Sequence, residues 1–397
     1  MQNVFVIDAV RTPIGKYAGA LSSTRPDDLL AYMIKALLKR NTAIDINALE
    51  DIIAGAANQA GEDNRNVARM AALLAGLPVT VAGNTVNRLC ASGLQAIMDC
   101  SRTIACGDAE LMIAGGVESM SRAPFVMAKS TTAFERNPQV YDTTMGWRFI
   151  NKKLSELYYP YSMGETAENV AKQWNISRHA QDEFAMSSQQ KYARALKEGK
   201  WNDEIIPIQV MAAKQAFDFE NDEQPRDTSM EKLAQLKPAF IKDGSVTAGN
   251  SSGINDGAAA MLLASEDAVK KYGLIPMAKV VSMAVAGVEP AVMGIGPVPA
   301  ATKALKRAGL TVRELDLIEL NEAFASQSIA CIHDLGLDLE KVNVNGGAIA
   351  IGHPLGCSGV RISTTLLHEM KKSKSKYGLA TMCVGVGQGA AVIYERV

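Results

Sequence analysis

The sequence lacks an apolar run long enough to span a bilayer, which takes about 20 residues. It also lacks any excess of one charge: 41 lysines and arginines meet 42 aspartates and glutamates, a net charge of −1. Without a basic stripe to follow phosphates, nucleic-acid binding is not expected, and neither is a membrane partner. Cysteine is sparse, six in 397 residues, too few for a disulfide framework and suited to a reducing compartment such as the cytoplasm. The segment Met1 to Asp8 enters a strand-like pattern without a basic stretch and apolar core, so no signal peptide is expected. Histidine is rarer still, four in the chain, and the pairs His353/Cys357 and Cys331/His333 offer no further ligands at a zinc spacing. No metal is expected. The glycine-rich stretch Gly352 to Gly356 lacks the Gly-x-Gly-x-x-Gly pattern with a later acid, which argues against a nicotinamide enzyme. No lysine follows Gly385, Gly387 and Gly389, which argues against a phosphate loop.

What the chain does have is 48% hydrophobic residues, over a length that can bury large cores, in alternating strand-like and helical patterns. Strands are expected at Val4–Asp8, Asp51–Gly55, Leu111–Gly115, Val280–Ala286, Leu317–Leu320 and Ala380–Val384, and the class is α/β. Between about Ser119 and Gly249 the texture changes. That stretch holds all three tryptophans, Trp147, Trp174 and Trp201, the charged run Phe219 to Asp227, and a helical pattern from Ala180 to Glu198. It reads as a substrate-facing insertion, in which any single tryptophan is by default core.

Four segments carry chemistry. Asn87-Arg88-Leu89-Cys90-Ala91-Ser92-Gly93-Leu94 sets a thiol between small residues ahead of an apolar helical pattern. At a helix N-terminus, unpaired N–H groups and the dipole favour a thiolate below the usual value of about 8.5 and can hold an oxyanion. Acyl transfer suits that mount; a small buried hydrophobe is the alternative for Cys90. Near the C-terminus, Asn345 to Gly359 sets His353 among glycines before the helical pattern Val360 to Met370. His179 lies at a polar helix start, and His333 and His368 read as helix-surface residues, which leaves His353 as the base for Cys90. Its alternative is to hydrogen-bond a turn. Met382-Cys383-Val384-Gly385-Val386-Gly387 leads a second cysteine from an apolar strand into a glycine turn where a ligand can approach the backbone, strand core being the plainer role of Cys383. Leu317-Ile318-Glu319-Leu320-Asn321-Glu322 ends a strand in an amide and a carboxylate, where open α/β sheets bind ligands. Asn321 can hold a water or cap a helix, and Glu322 reads as a first-turn acid.

The chain repeats itself. Asp51 to Asn58 resembles Asp316 to Asn321, Cys90-Ala91-Ser92-Gly93 lies against Gly356-Cys357-Ser358-Gly359, and Leu111 to Gly115 lies against Leu379 to Cys383, all at nearly one offset. Two halves packed about a pseudo-twofold would bring Cys90, Asn321, His353 and Cys383 to one cleft.

Together with Arg11-Thr12-Pro13-Ile14-Gly15, these blocks resemble, in order and over essentially the whole chain, the signature segments of the thiolase family. Those are thioester-dependent acyltransferases that make or cleave 3-oxoacyl-CoA. The resemblance implies five layers, α-β-α-β-α, from two βαβαβαββ halves, residues 1–118 with 250–270 and residues 271–397, and a loop domain inserted at 119–249. It implies that Cys90 accepts the acyl group, that His353 is its base, and that Cys383 exchanges a proton with the α-carbon of acetyl-CoA. Asn321 would hold a water that forms one oxyanion hole with His353, and the N–H groups of Cys90 and Gly385 would form the other. Coenzyme A is then a cosubstrate, with no bound cofactor. Ala248 and Ser252 match positions that contact its pantetheine arm, Met293 and Phe324 match the lining of the same tunnel, and Arg226 matches a position near the nucleotide end. A homodimer or homotetramer is implied as well.

Ser162 stands where acetoacetyl-specific relatives often carry a histidine before Met-Gly, which argues against a short-chain biosynthetic role. The blocks Gly19 to Ser23, Asn58 to Met70 and Asp142 to Phe149 most resemble thiolases that act on 3-oxoadipyl-CoA in aromatic-acid degradation. Fatty-acid 3-ketoacyl-CoA thiolase, acetyl-CoA C-acetyltransferase and a non-catalytic CoA or lipid carrier of the same fold are the alternatives. For a substrate that ends in a carboxylate, Arg65 is the candidate partner and Arg148 the second. A structural ion pair with Glu62 or Asp63 is the alternative role of Arg65.

Overall fold

The run Asn255-Asp256-Gly257-Ala258-Ala259-Ala260-Met261-Leu262-Leu263-Ala264-Ser265 is buried at every position, a strand covered on both faces. A computed structural model describes residues 2–212 and 215–397. The first half contributes β1 (Val4–Arg11), α1 (Pro26–Arg40), β2 (Leu49–Gly55), α2 (Val67–Leu74), β3 (Ala82–Val86), α3 (Ser92–Cys106) and β4 (Leu111–Ser119). After an excursion that includes α4 (Met163–Gln173) and α5 (Arg178–Lys197), that half closes with β5 (Asn255–Ser265). The second half contributes β6 (Ala278–Gly287), α6 (Pro297–Ala308), β7 (Leu317–Leu320), α7 (Ala325–Leu335), α8 (Leu355–Ser373), β8 (Tyr377–Val384) and β9 (Gln388–Arg396). All six strands expected from the sequence form; β3, β5 and β9 were not expected. An alanine-rich run covered on both faces shows no period of two, which is why β5 escaped notice.

The repeat is visible in the register. In each half a parallel pair, β2 with β4 and β7 with β8, continues through antiparallel neighbours to the first strand, β1 or β6. The register slips at the same place in both, between Val6 and Asp8 in β1 and between Val280 and Ser282 in β6. The counterpart of β3 in the second half is reduced to a single bridge, Val342 beside Ile318. Short pairing of Phe5 and Val6 with Lys279 and Ala278 joins the halves into one ten-stranded path, which also takes in Gly15–Lys16.

Three hydrophobic clusters join the five layers, the central one filling both sides of the α3/α8 layer. On one face of the first half, Leu30, Ile34 and Leu37 of α1 pack with Ala258, Ala260 and Leu262 of β5. On its other face Ala259, Met261 and Leu263 meet Leu94 and Ile97 of α3, and these meet Val360 and Leu366 of α8, backed by Met382 of β8 and Val392 of β9. Beyond the second half, Ala301 and Leu305 of α6 and Cys331 of α7 cover Leu379 and Ile393. Successive β5 residues facing opposite layers are the period of two expressed as two cores.

His368, expected on a helix surface, is instead buried on α8, with Nε2 2.9 Å from the Ala9 carbonyl of β1. Apolar neighbours on both sides of α8 bury its whole circumference. The excursion is tied to β1 by the buried Arg11, whose Nε donates to Glu204 Oε1 at 2.6 Å and whose Nη1 donates to Asp222 Oδ1 at 2.7 Å beneath Trp201. Ser162 begins α4 as one side of a reciprocal cap with Glu165, a local reason for serine at that position.

The central helices cross through glycine. A Cβ on Gly359 would lie 2.0 Å from the Leu94 backbone nitrogen, and one on Gly93 would lie 2.8 Å from that of Val360. Gly359→Ala should therefore separate α3 from α8, cost about 3 kcal/mol or more, and lower the thermal midpoint and soluble yield. Gly107→Ala, where a Cβ meets open space at φ 89°, should cost only about 1 kcal/mol. Equal effects in a thermal melt would refute a tight crossing.

Candidate active site

Cys90 lies one residue before the N-cap Ala91 of α3, in a turn whose shape the sequence sets locally. Leu89 has φ 45°, a left-handed conformation that a leucine holds only when its surroundings fix it. Ser92 fixes it: its hydroxyl donates to the Leu89 carbonyl at 2.6 Å and accepts from the Arg88 N–H at 2.9 Å. Asn87 completes the turn, accepting from the Leu89 N–H and donating to the Ala57 carbonyl. Glycine at 93 and serine at 92 are thus structural requirements of the cysteine loop.

His353 follows Gly352, whose φ of 115° and lack of room for a Cβ beside the Asn255 amide both call for glycine. The His353 N–H donates to Asn255 Oδ1 at 2.9 Å, and Nδ1 lies 2.6 Å from Ser358 Oγ. Asn321, at the end of β7, holds its Nδ2 3.4 Å from both ring nitrogens. Its Oδ1 is buried with no protein partner among the described residues, an acceptor left for water or substrate.

Cys383, near the end of β8, is buried with Met293, Ala323 and Phe324. The Gly385 N–H in the following turn lies close enough to the Cys90 thiol to favour its ionised form. Cys90 is close enough to Cys383 to raise the cost of ionising it. Cys90, Gly385 and Cys383 therefore lie together, as do Asn321, His353 and Ser358.

Two carboxylates hold the loops. Glu118 at the end of β4 accepts from the N–H groups of Ala57, Asn58 and Gly356 at 2.8–3.0 Å, joining the halves at the start of α8. Burial lifts it to about 7 against those three donors. Glu322, expected as a first-turn acid, is buried instead, because α7 starts only at Ala325. It accepts from Ser188 Oγ, Asn343 Nδ2 and the Ile349 N–H, and so fixes the loop that leads to His353. Glu118, Asn255 and Ser358 were missed in the sequence. Glu118 had a signal, a lone acid inside an apolar strand; Ser358 had another, its repeat partner Ser92; Asn255 had none.

The expectation of a thiolate is overturned. Burial pushes Cys90 up to about 11, while the Gly385 N–H and its own N–H pull the other way and lose. Cys90 stands outside the first turn of α3, where the dipole has little hold. Burial, with the Arg361 charge behind it, lowers His353 to about 3, so the imidazole is neutral and resists protonation in the empty site. Cys383 is held well above the ordinary thiol value by burial and then by Cys90.

Of the expected binding residues, Met293 and Phe324 pack beside Cys383, and Ser252 is half-buried with its N–H on the Ala323 carbonyl at 3.0 Å. Ala248 is exposed, and Arg226 Nη1 donates to its carbonyl at 3.0 Å. Arg65 is not brought to this cluster; it is exposed, at φ 62°, on the turn before α2. The ion pair foreseen for it is not made among the described residues, because Glu62 is taken by Arg25 and Arg122 while Asp63 is buried. Two surface cavities, beside Arg122 and beside Lys371, contain none of the four expected catalytic side chains. Among the described residues no cluster could hold a metal, and no helix is long and apolar enough to cross a membrane.

The duplicated five-layer architecture, with a cysteine turn, a glycine-set histidine and a second cysteine at its centre, is that of an acyltransferase fold. The chain belongs to the thiolase family: the family model "Thiolase, N-terminal domain" matches residues 4–267 and "Thiolase, C-terminal domain" matches residues 274–396. It is 57% identical to the beta-ketoadipyl-CoA thiolase of Pseudomonas aeruginosa, over 100% of both chains. It is 53% identical to the 3-oxoadipyl-CoA/3-oxo-5,6-dehydrosuberyl-CoA thiolase of Escherichia coli K12, again over 100% of both. Human mitochondrial 3-ketoacyl-CoA thiolase, solved in complex with CoA, superposes with a TM-score of 0.93 at 41% identity, covering 100% of this chain and 98% of that one.

With Cys90 near 11, its alkylation by iodoacetamide should climb about tenfold per pH unit from 7 to 9, because the thiolate is the reacting form. Cys90→Ala supplies the background from the exposed Cys106. A plateau below pH 9 would show a thiol already activated in the empty site.

Proposed function

We propose that this protein cleaves 3-oxoadipyl-CoA with CoA to give succinyl-CoA and acetyl-CoA. The observation that carries the reading is the full-length identity of 57% and 53% to thiolases named for that substrate. Cys90 loses its proton to His353 and attacks C3 of the substrate. The C2–C3 bond breaks, its electrons leave on C2 as the acetyl-CoA enolate, and Cys383 protonates that carbon. A succinyl thioester on Cys90 remains; CoA attacks it, giving its thiol proton to the Cys383 thiolate, and Cys90 leaves as His353 returns the proton it took, which restores all three groups. One carbon–carbon step becomes two acyl transfers.

In the empty site burial keeps Cys383 a thiol and His353 neutral, the protonation states from which these steps start; the transfer from Cys90 to His353 is uphill there and has to be driven by the charge the substrate takes up. The unpaired Asn321 Oδ1 suits a bound water, and the Gly385 N–H close to the Cys90 thiol suits an oxyanion formed there. CoA is a substrate in this reading, with Ser252, Ala248, Met293 and Phe324 along its arm, Arg226 at its far end, and residues 119–249 as the loop domain that carries it. Six free cysteines agree with a cytoplasmic enzyme, and a homodimer or homotetramer completes the reading.

Cys90→Ala should form no acyl-enzyme on mixing with acyl-CoA, whereas Cys383→Ala should acylate yet release no product. Intact-mass spectrometry separates the two, and an adduct on Cys383 with Cys90 unmodified would reverse the assignment. Substrate class is read from CoA-dependent cleavage of a panel: 3-oxoadipyl-CoA, medium-chain 3-oxoacyl-CoA and acetoacetyl-CoA. A preference for acetoacetyl-CoA would favour the acetyltransferase, and no cleavage at all a carrier.

Arg65, which a single chain does not bring to the cysteines, is the proposed partner of the distal carboxylate from the second protomer of a homodimer, where the family counterpart of its block approaches the active site; it is exposed and unpaired with Glu62 or Asp63. Arg65→Ala should slow 3-oxoadipyl-CoA cleavage about tenfold or more and spare acetoacetyl-CoA, a charge-assisted hydrogen bond being worth about 1.5–3 kcal/mol. Equal loss on both substrates would rule it out.

A further inference from the structure

The His353 ring has one proton when neutral, and which nitrogen holds it decides whether the ring can take the proton of Cys90. Nδ1 is 2.6 Å from Ser358 Oγ, and that oxygen is 2.9 Å from the Pro354 carbonyl one turn back. A carbonyl only accepts. A hydroxyl with one proton that gives it to Pro354 must accept at Nδ1, and the ring must then carry its proton there.

The other half of the molecule supplies the polarity. Ser92, the repeat counterpart of Ser358, is the first residue of α3, where Ser358 lies in the first turn of α8. Its partners are a carbonyl, Leu89, and a backbone N–H, Arg88, which can only donate; the Ser92 hydroxyl therefore gives its proton to the carbonyl and accepts from nitrogen. Ser358 has the same two kinds of partner, a carbonyl, here Pro354 four residues back rather than three, and a nitrogen, here of the His353 ring in place of the N–H. Both serines are wholly buried, so water does not compete for either hydroxyl.

We infer that Ser358 is the positioning residue of His353: its hydroxyl accepts from Nδ1–H and leaves Nε2 as the nitrogen that receives the proton of Cys90. The inference rests on the reading of His353 as the base of Cys90. A carboxylate in that place would hold the ring charged, whereas a neutral hydroxyl fixes the tautomer and leaves the ring ready to accept. When the proton arrives, the same hydroxyl still accepts from Nδ1–H, so the imidazolium forms with no rearrangement of its partner.

The test begins with the unaltered full-length protein, labelled with [15N]histidine and without substrate, the His353 signals being assigned by their loss in His353→Ala. The 15N shifts should show Nδ1 protonated and Nε2 bare at neutral pH. The opposite tautomer means that Ser358 donates to the ring, and it overturns the proposal even if every variant is slow. Ser358→Ala should then slow acylation of Cys90 by acyl-CoA on the order of tenfold to a hundredfold, with KM nearly unchanged and the Nε2-protonated form populated. Ser358→Thr, which keeps the hydroxyl, should recover most of the rate. A Ser358→Ala enzyme with the original rate and tautomer refutes the role. A protein that never acylates on Cys90 refutes the function proposed above instead, while the tautomer is read without it.

Discussion

The contact of α3 with α8 at Gly93 and Gly359 is the constraint on which the rest depends. Both helices begin at the centre of the molecule, and each is led in by a loop that bears chemistry, Cys90 before one and His353 before the other. A side chain at either glycine would push the helices apart and carry the two loops with them. The carboxylate of Glu118 then sets their distance along the axis, since it holds the first residues of α8 against the loop that follows β2. Backbone contact and one buried acid do what a larger interface would otherwise have to do.

The resting cluster has little charge. Cys90 and Cys383 are lifted above their ordinary values and His353 is lowered, all three first by burial. A dry site penalises an isolated charge, but it strengthens every dipole that meets a charge formed there during reaction. The Gly385 N–H and the Asn321 amide are held in place beforehand by the turn after β8 and the end of β7, so little reorientation is needed. In the proposed reaction, ionisation would wait until a substrate carbonyl supplies somewhere for the charge to go.

Much of this was legible in the sequence, for identifiable reasons. Glycines around His353, small residues around Cys90 and a strand ending in Asn321 are local patterns, and the internal repeat indicated that they converge. Strands with one alternating face or a clear apolar run were visible; the doubly covered β5 and the exposed β3 were not. The ionisation of Cys90 was misread because a helix N-terminus is visible in a sequence and the burial of its neighbour is not. His368 and Glu322 were misplaced for the same reason: what buries them comes from elsewhere in the chain. Asn255 was beyond reach, as its partners lie 240 residues back at Gly15 and 98 residues on at His353.

Gly356 stands where the repeat would put a second Cys90, and a Cβ there would fall 2.6 Å from the Val117 carbonyl and 2.7 Å from the Ala56 Cα. A thiol therefore fits at one of the two related positions and not at the other. Close packing thus makes the two related halves unequal in what they can carry: at this place the first has room for a side chain and the second has room for none.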